Sequence, residues 1–209
     1  MNLPDALPRT EEEGVMPGFQ EVGKSQFDPL GLKPGRYQFQ CAGLAEQVLS
    51  MCLLFLPNEL LQVDLWCGVR QGPANVTLSF GLYNHSVEFG ELLGNGFDSP
   101  AHHRKGFGTL VVNTAIQAIQ AIYLPHARIE GILSNVAEQS LPEQAQARLT
   151  SSRREFWRRF GLNVIEGEEG IDELHGLVRH LKCVRHGSIE GEFKRWVPLE
   201  MFQWVSARS

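Results

Sequence analysis

The sequence predicts an α/β protein of the α+β kind, in which helices flank a mixed, mostly antiparallel central sheet of about seven strands. Segments with two-residue apolar alternation recur along the chain, and two long segments show helical periodicity. Turn residues separate most of these segments. With 209 residues and 43% apolar character, the chain is long enough to bury one sizeable core.

The first 35 residues mix charge, proline and glycine, as in "EEEG" and "KPG", without a sustained period. We expect residues 1–35 to form an irregular arm and residues 36–209 to form one domain. The four cysteines form no Cys-x-x-Cys pair, a usage typical of reduced thiols in a cytoplasm. No secretory signal is visible, and the longest apolar run, "VLSMCLLFL", is too short to span a bilayer. A cytoplasmic protein without a membrane partner is expected.

The first half of the domain predicts a strand, a helix and a three-stranded meander. Residues 36–41 alternate as a strand, whereas residues 43–57 contain good helix formers and end at Pro57, which predicts a buried helix. Alternating "LQVDLWC" and "VTLSF" flank the turn "RQGPAN", and the turn "NHS" leads into "VEFGELL". We expect these three strands to pair antiparallel.

A helix, a strand and a second helix follow. The apolar spacing in "TLVVNTAIQAIQAIY" predicts a helix that begins at the preceding glycines, and "RIEGILS" alternates as a strand. Ser140 and Glu143 have capping-box spacing, Pro142 suits a first turn, and Gly161 suits a C-terminal stop, which together predict the second helix.

The second helix is amphipathic and strongly basic. One face is predicted to carry Ala145, Leu149, Ser152, Phe156 and Phe160, and the other faces carry Arg148, Arg153, Arg154, Arg158 and Arg159. These arginines suit a solvated face, a bound phosphate group or a polyanionic acceptor such as RNA. The formal net charge of -5 argues against a general polyanion-binding role.

Residues 175–186 and 192–205 are predicted to form the last two strands. The first of them contains His175, His180, Cys183 and His186. Strand alternation would place His180 and His186 on one face and Cys183 on the other, so no metal site is predicted.

The most informative stretch is "PAHHRKGFGTLVV", which places basic residues and Gly-Phe-Gly directly before a helix. A helix start has unpaired N–H groups and a positive dipole end, and glycines allow a phosphate to approach the backbone closely. The stretch matches neither a nucleotide P-loop nor the Rossmann glycine pattern. It therefore predicts an anion site of another kind.

Two motifs in this order of elements carry a family resemblance. "HRKGFG" (His103 to Gly108) follows Pro100 between the fourth predicted strand and its helix, and "FWRRFGL" (Phe156 to Leu162) ends the last helix. In both respects the chain resembles the GNAT superfamily of N-acetyltransferases, which bind acetyl-coenzyme A. His103 stands where that family usually has arginine or glutamine.

The resemblance implies acetyl-coenzyme A as cofactor and an amine as acceptor, either a small molecule, a peptide or an aminoacylated tRNA. In such folds the sheet splays after the fourth strand, and the pyrophosphate lies at the start of the next helix. The implied cofactor-binding residues are Phe97, Ser99, His103, Arg104, Lys105, Gly106, Phe107, Gly108, Thr109, Asn135 and Trp157. The basic last helix would then be available to the 3′-phosphate of coenzyme A.

Acyl transfer to an amine needs a base and often an acid for the leaving thiolate. The resemblance points to Glu91 as the base, with Glu88 and Asp98 as rivals. At the family's usual tyrosine position the chain has Trp157, whose indole cannot supply a proton at pH 7. The alternative is a catalytically silent module of the same fold that recognises a partner protein, with or without coenzyme A. The C-terminal strands would allow a homodimer.

Overall fold

The computed structural model describes residues 32–42, 48–68, 70, 72–94, 106–133, 140–167, 171–184 and 202–205. In this part of the chain, two helices and nine strands form a mixed α/β structure. The strands are β1 (Gly35–Ala42), β2 (Val48–Leu56), β3 (Leu60–Cys67), β4 (Val76–Leu82), β5 (Ser86–Leu93), β6 (Arg128–Leu133), β7 (Asn163–Ile165), β8 (Asp172–Leu177) and β9 (Gln203–Val205). The helices are α1 (Phe107–Ile122) and α2 (Glu143–Arg159), and Val178–His180 form a 3₁₀ turn.

All nine strands belong to one sheet, in the order β7-β8-β6-β5-β4-β3-β2-β1-β9. Neighbouring strands are antiparallel throughout, except for β5 and β6, which are parallel and are connected through α1. The predicted mostly antiparallel mixed sheet is confirmed, with nine strands rather than about seven. The predicted meander is confirmed as β3, β4 and β5.

Both helices pack on the same face of the sheet. A small apolar cavity lies between Phe80 and Phe89 of the sheet, Ile116 of α1 and Phe160 at the end of α2. On this face β3 and β4 present every second residue to the helices, and these residues are wholly or almost wholly buried, among them Leu61 and Leu78. Alternation was a reliable signal for these strands because only one of their faces packs against the helices.

The predicted helix over residues 43–57 is wrong, because Val48–Leu56 form strand β2 and residues 43–47 lie outside the described part. β2 lies in the middle of the sheet, between β1 and β3, and residues on both of its faces are buried, for example Cys52 and Leu53. A strand that is buried on both faces has a continuous apolar sequence, which does not differ in pattern from a buried helix.

The predicted start of α2 also needs correction. Pro142, not Ser140, occupies the N-cap, and no side chain caps the helix. The predicted apolar face is partly wrong, because Leu149 is 42% exposed while Trp157 is buried. The helix contacts the sheet only through its last turns, so the four-residue pattern of its first half does not mark a buried face.

The C-terminal strand predictions are wrong in their bounds. Residues 175–186 do not form one strand, because β8 begins earlier, at Asp172, and ends at Leu177, where the 3₁₀ turn follows. Strand alternation therefore does not apply to His180 or Cys183. The short strand β7 was not predicted, and of residues 192–205 the structure describes only 202–205, which include β9.

Candidate functional site

A slot opens between the two parallel strands. β5 and β6 pair from Ser86 and Arg128 to Phe89 and Gly131, where the registered pairing ends. Beyond that point β5 continues along β4, while β6 continues along β8. A Cβ atom on Gly131 would overlap the Cβ atom of Phe89, so the two strands are tightly packed at the narrow end of the slot.

A β-bulge lies on β5 just past the narrow end. Gly90 and Glu91 together oppose the single residue Ser79 of β4. A Cβ atom on Gly90 would lie 2.6 Å from the Ser79 hydroxyl oxygen and 2.7 Å from its carbonyl oxygen, so only glycine fits there without a shift. Bulges bend a strand and redirect its side chains, which is how β5 turns away from β6.

The first turn of α1 lies at the wide end of the slot. Its N-cap, Gly106, has φ of 84°, in the left-handed region that favours glycine. No side chain caps this helix, and its first turn contains no acidic residue. Such a turn presents main-chain N–H groups and the positive end of the helix dipole.

Gly108 lies between the two walls of the slot. A Cβ atom added there would lie 3.9 Å from Leu92 of β5 and 3.9 Å from Phe156 of α2, which is ordinary van der Waals contact. A methyl group would therefore fit at this position, in contact with both β5 and α2.

Aromatic side chains form the wall on the helical side of the slot. The rings of Phe89 and Trp157 meet edge to face, with centroids 4.5 Å apart. Phe89 contacts Phe80 at 4.5 Å, and Trp157 contacts Phe156 at 4.9 Å. Only 2% of Trp157 is exposed, so this indole is a packing element of the wall.

An ion pair holds α2 against β8. The Arg154 guanidinium donates to both carboxylate oxygens of Asp172, from Nε at 2.7 Å and from Nη2 at 2.8 Å. Asp172 is fully buried, and Arg154 also contacts the exposed carboxylate of Glu166 at 2.9 Å. Because Asp172 pairs in register with Leu133, the last residue of β6, this contact fixes α2 to the β6 side of the slot.

Most of the arginines of α2 have a structural partner or a solvated position. Arg154 is bound as described, and Arg158 donates to the Val164 carbonyl oxygen at 3.4 Å. Arg159 pairs with Glu155 one turn away, where both side chains are exposed. The basic character of α2 is thus partly explained by its attachment to β7 and β8.

Of the predicted bases, the structure describes Glu91 and Glu88. Glu91 lies on the part of β5 that has left β6, and it is exposed. Glu88 lies within the paired part and accepts a hydrogen bond of 3.0 Å from the Tyr83 hydroxyl, which raises the pKa of Tyr83. Glu91 therefore lies on the part of β5 beside the slot, whereas Glu88 lies where β5 and β6 are still paired.

The predicted cofactor-binding residues fall into two sets. Gly106 and Gly108 lie beside the slot and Trp157 is packed in its wall as described, Thr109 is the third residue of α1, and Phe107 is buried at the first position of that helix. Outside the described residues lie Phe97, Asp98, Ser99, His103, Arg104, Lys105 and Asn135.

Sequence reasoning missed the roles of Phe89, Leu92 and Asp172. An alternating strand contains Phe89 and Leu92, so their burial was predictable, but the parting of β5 from β6 beside them was not. Asp172 stands alone in "GIDEL", and no local pattern distinguishes it from a surface carboxylate.

Three cysteines in the described residues are free thiols: Cys52, Cys67 and Cys183. Burial raises the pKa of Cys52, and it raises the pKa of both Cys67 and Cys183 to about 11. A thiol that holds its proton at neutral pH is a poor nucleophile, so these residues are not candidates for covalent catalysis.

No protein-family model matches this sequence, and no curated protein matches it. Neither α1 nor α2 combines the length and the hydropathy that a bilayer crossing requires, so the described residues include no membrane-spanning helix. The functional inference therefore depends on the local geometry of the slot.

Proposed function

We propose that the chain binds acetyl-coenzyme A between β5 and β6 and transfers the acetyl group to an amine. The observation that carries this proposal is the parting of two parallel strands beyond Phe89 and Gly131, with the glycine-capped start of α1 at the open end. The GNAT superfamily binds its cofactor in a slot of this kind, which is the similarity that supports the proposal.

The residues of the slot fit such a cofactor. An uncapped first turn of α1 beside Gly106 is suited to a pyrophosphate, since the dipole and the main-chain N–H groups favour an anion. Gly108, the second residue of that turn, has no side chain that would cover it. The unpaired edge of β5 beyond Phe89 offers main-chain groups that an extended amide-containing arm can bind, as an added strand would.

Glu91 is the proposed base. Its position within the bulge puts a carboxylate on the part of β5 that no longer pairs with β6, where an acceptor amine must lose a proton before it attacks the thioester carbonyl. Coenzyme A, when bound, supplies the activated acyl group. The leaving thiolate takes its proton from water in this proposal, because Trp157 is not an acid.

The proposal names the acceptor only as an amine. It places the reaction in the cytoplasm. The family builds its acceptor pocket partly from the first helix, and in this chain the segment expected to form that helix is β2. A small molecule, a peptide and an aminoacylated tRNA all stay within the proposal.

Calorimetric titration with acetyl-coenzyme A tests the binding step. A Gly108→Trp variant places a bulky ring between Leu92 and Phe156, so we expect it to lose the micromolar binding that the wild type shows. The matched control is Ala147→Trp, which adds the same ring at an exposed position of α2, about 13 Å along the helix from Phe156. No binding by the wild type, or equal binding by both variants, contradicts the proposal.

Trp157 favours a second candidate, a catalytically silent binding module that recognises a partner protein. The usual acidic tyrosine is replaced by an indole that is only 2% exposed. A Glu91→Gln variant separates the two functions: the transferase loses turnover in an amine screen and keeps cofactor affinity. A wild type that binds cofactor but acetylates none of the three acceptor classes favours the binding module.

A further inference from the structure

The narrow end of the slot is closed by two rings. Phe89 is the last residue of β5 that pairs with β6, and it is 7% exposed. Trp157 packs edge to face on it, with ring centroids 4.5 Å apart. Any group that extends along β5 from the start of α1 meets these rings at the end of its path.

The space behind the Phe89 ring is too small for an alkyl chain. The cavity there has a volume of about 10 Å³, and its lining is apolar, with Phe80, Ile116 and Phe160 among the residues that form it. This volume holds about one water-sized sphere. Phe89 borders both the slot and this cavity, so displacement of its ring is what would join the two spaces.

The direction of a bound cofactor follows from the two ends of the slot. The anion site of α1 lies at the wide end, beside Leu92, and the paired strands lie at the other end. A thioester held by its phosphates at α1 therefore points its acyl group towards Phe89. An acetyl group ends there, whereas a longer chain has to move the Phe89 ring, and Trp157 stands behind that ring.

We infer that Trp157, acting through Phe89, restricts the acyl donor to short chains. This inference rests on the proposed function, since it concerns the acyl group of the same bound thioester. Trp157 is thus a positioning residue that determines specificity.

Calorimetry with acetyl-, butyryl- and hexanoyl-coenzyme A tests this role without the transfer reaction. We expect the wild type to bind acetyl-coenzyme A at least tenfold more tightly than the butyryl form. In Trp157→Leu the Phe89 ring can retreat. Each additional buried methylene of the acyl chain then increases the affinity about fourfold, so the ratio of the affinity for acetyl-coenzyme A to that for butyryl-coenzyme A should fall by about 15-fold. Trp157→Phe keeps an aromatic ring and should show a smaller shift, of about fourfold.

The control variant is Phe55→Leu, which makes a similar truncation at a fully buried position of β2 on the far side of the meander. It should lower stability and leave the acetyl-to-butyryl ratio unchanged. Circular dichroism establishes which variants are folded, and if Trp157→Leu is unfolded, Trp157→Phe decides the outcome.

The failure of this inference differs from the failure of the proposed function. A wild type that binds acetyl- and butyryl-coenzyme A equally overturns the inference alone. So does an unchanged ratio in the folded Trp157 variants. A wild type that binds no coenzyme A thioester overturns both.

Discussion

Replacement of Asp172 by asparagine should destabilise the protein by about 3 kcal/mol. The carboxylate is fully buried and accepts two charge-assisted hydrogen bonds of 2.7 and 2.8 Å from Arg154. Breaking a buried ion pair costs about 3 to 5 kcal/mol, because one charge is left without its partner. The lower end applies, since the Arg154 side chain is 19% exposed and keeps its contact with Glu166.

Urea unfolding followed by circular dichroism at 222 nm measures this change. For a protein of this length, about 3 kcal/mol corresponds to a fall of about 6 to 12 °C in Tm. The matched control is Arg159→Ala on the same helix, which breaks an exposed pair of 3.4 Å with Glu155 and should cost less than about 0.5 kcal/mol.

A double variant, Asp172→Asn with Arg154→Met, isolates the interaction between the two residues. Its loss of stability should be smaller than the sum of the two single losses, because the second substitution removes the charge that the first one leaves unpaired. If Asp172→Asn costs no more than Arg159→Ala, or if the two losses add, the pair does not hold α2 to β8.

Two further variants and two measurements on the wild type test other parts of the fold. Gly161→Ala should cost more than about 2 kcal/mol in urea unfolding, because Gly161 has φ of 90° and an added Cβ would overlap the His180 carbonyl oxygen; a loss below 0.5 kcal/mol would contradict that packing. Cys67 and Cys183, with pKa values raised to about 11, should react with a disulfide reagent at pH 8 about 100-fold more slowly in the native than in the unfolded protein. Since the native state keeps these protons to higher pH than the unfolded chain does, the free energy of unfolding should also fall as the pH rises from about 9 towards 11, and a flat profile would contradict the burial of the thiols. Tyr123→Phe removes a buried hydroxyl that donates to the Tyr83 carbonyl oxygen, between β4 and β5, at 2.8 Å, so it should cost about 1 to 2 kcal/mol in the same unfolding assay, and no loss would mean that this hydrogen bond does not stabilise the fold.

The elements that the sequence predicts well are those whose pattern reports on one buried face. β3 and β4 alternate because only one of their faces packs against α1, and α1 has helical spacing because it lies on the sheet. β2 is not predicted because it lies between two strands and is buried on both faces, so its apolar residues form a continuous run. β7 has only three residues and forms by pairing with β8, which no local signal indicates.

The same distinction applies to the candidate site. The glycines before α1 predicted an anion site from local physics alone, and the helix start at Gly106 agrees with the expected position. The slot opens where β5 and β6 stop pairing with each other. Asp172 stabilises the fold because it binds Arg154, which belongs to a different element, α2. Tertiary contacts of this kind leave no periodic trace in the sequence.

The two walls of the slot belong to different parts of the fold, and this explains how its width is set. β5 is the last strand of an antiparallel meander, whereas β6 is fixed to β8 and, through Asp172 and Arg154, to α2. The contact of Phe89 with Trp157 joins these parts at the narrow end, together with the last parallel pair. A smaller residue at 157 therefore weakens a wall contact and opens the end of the slot by the same change. Trp157 therefore couples the position of α2 to the width of the narrow end of the slot.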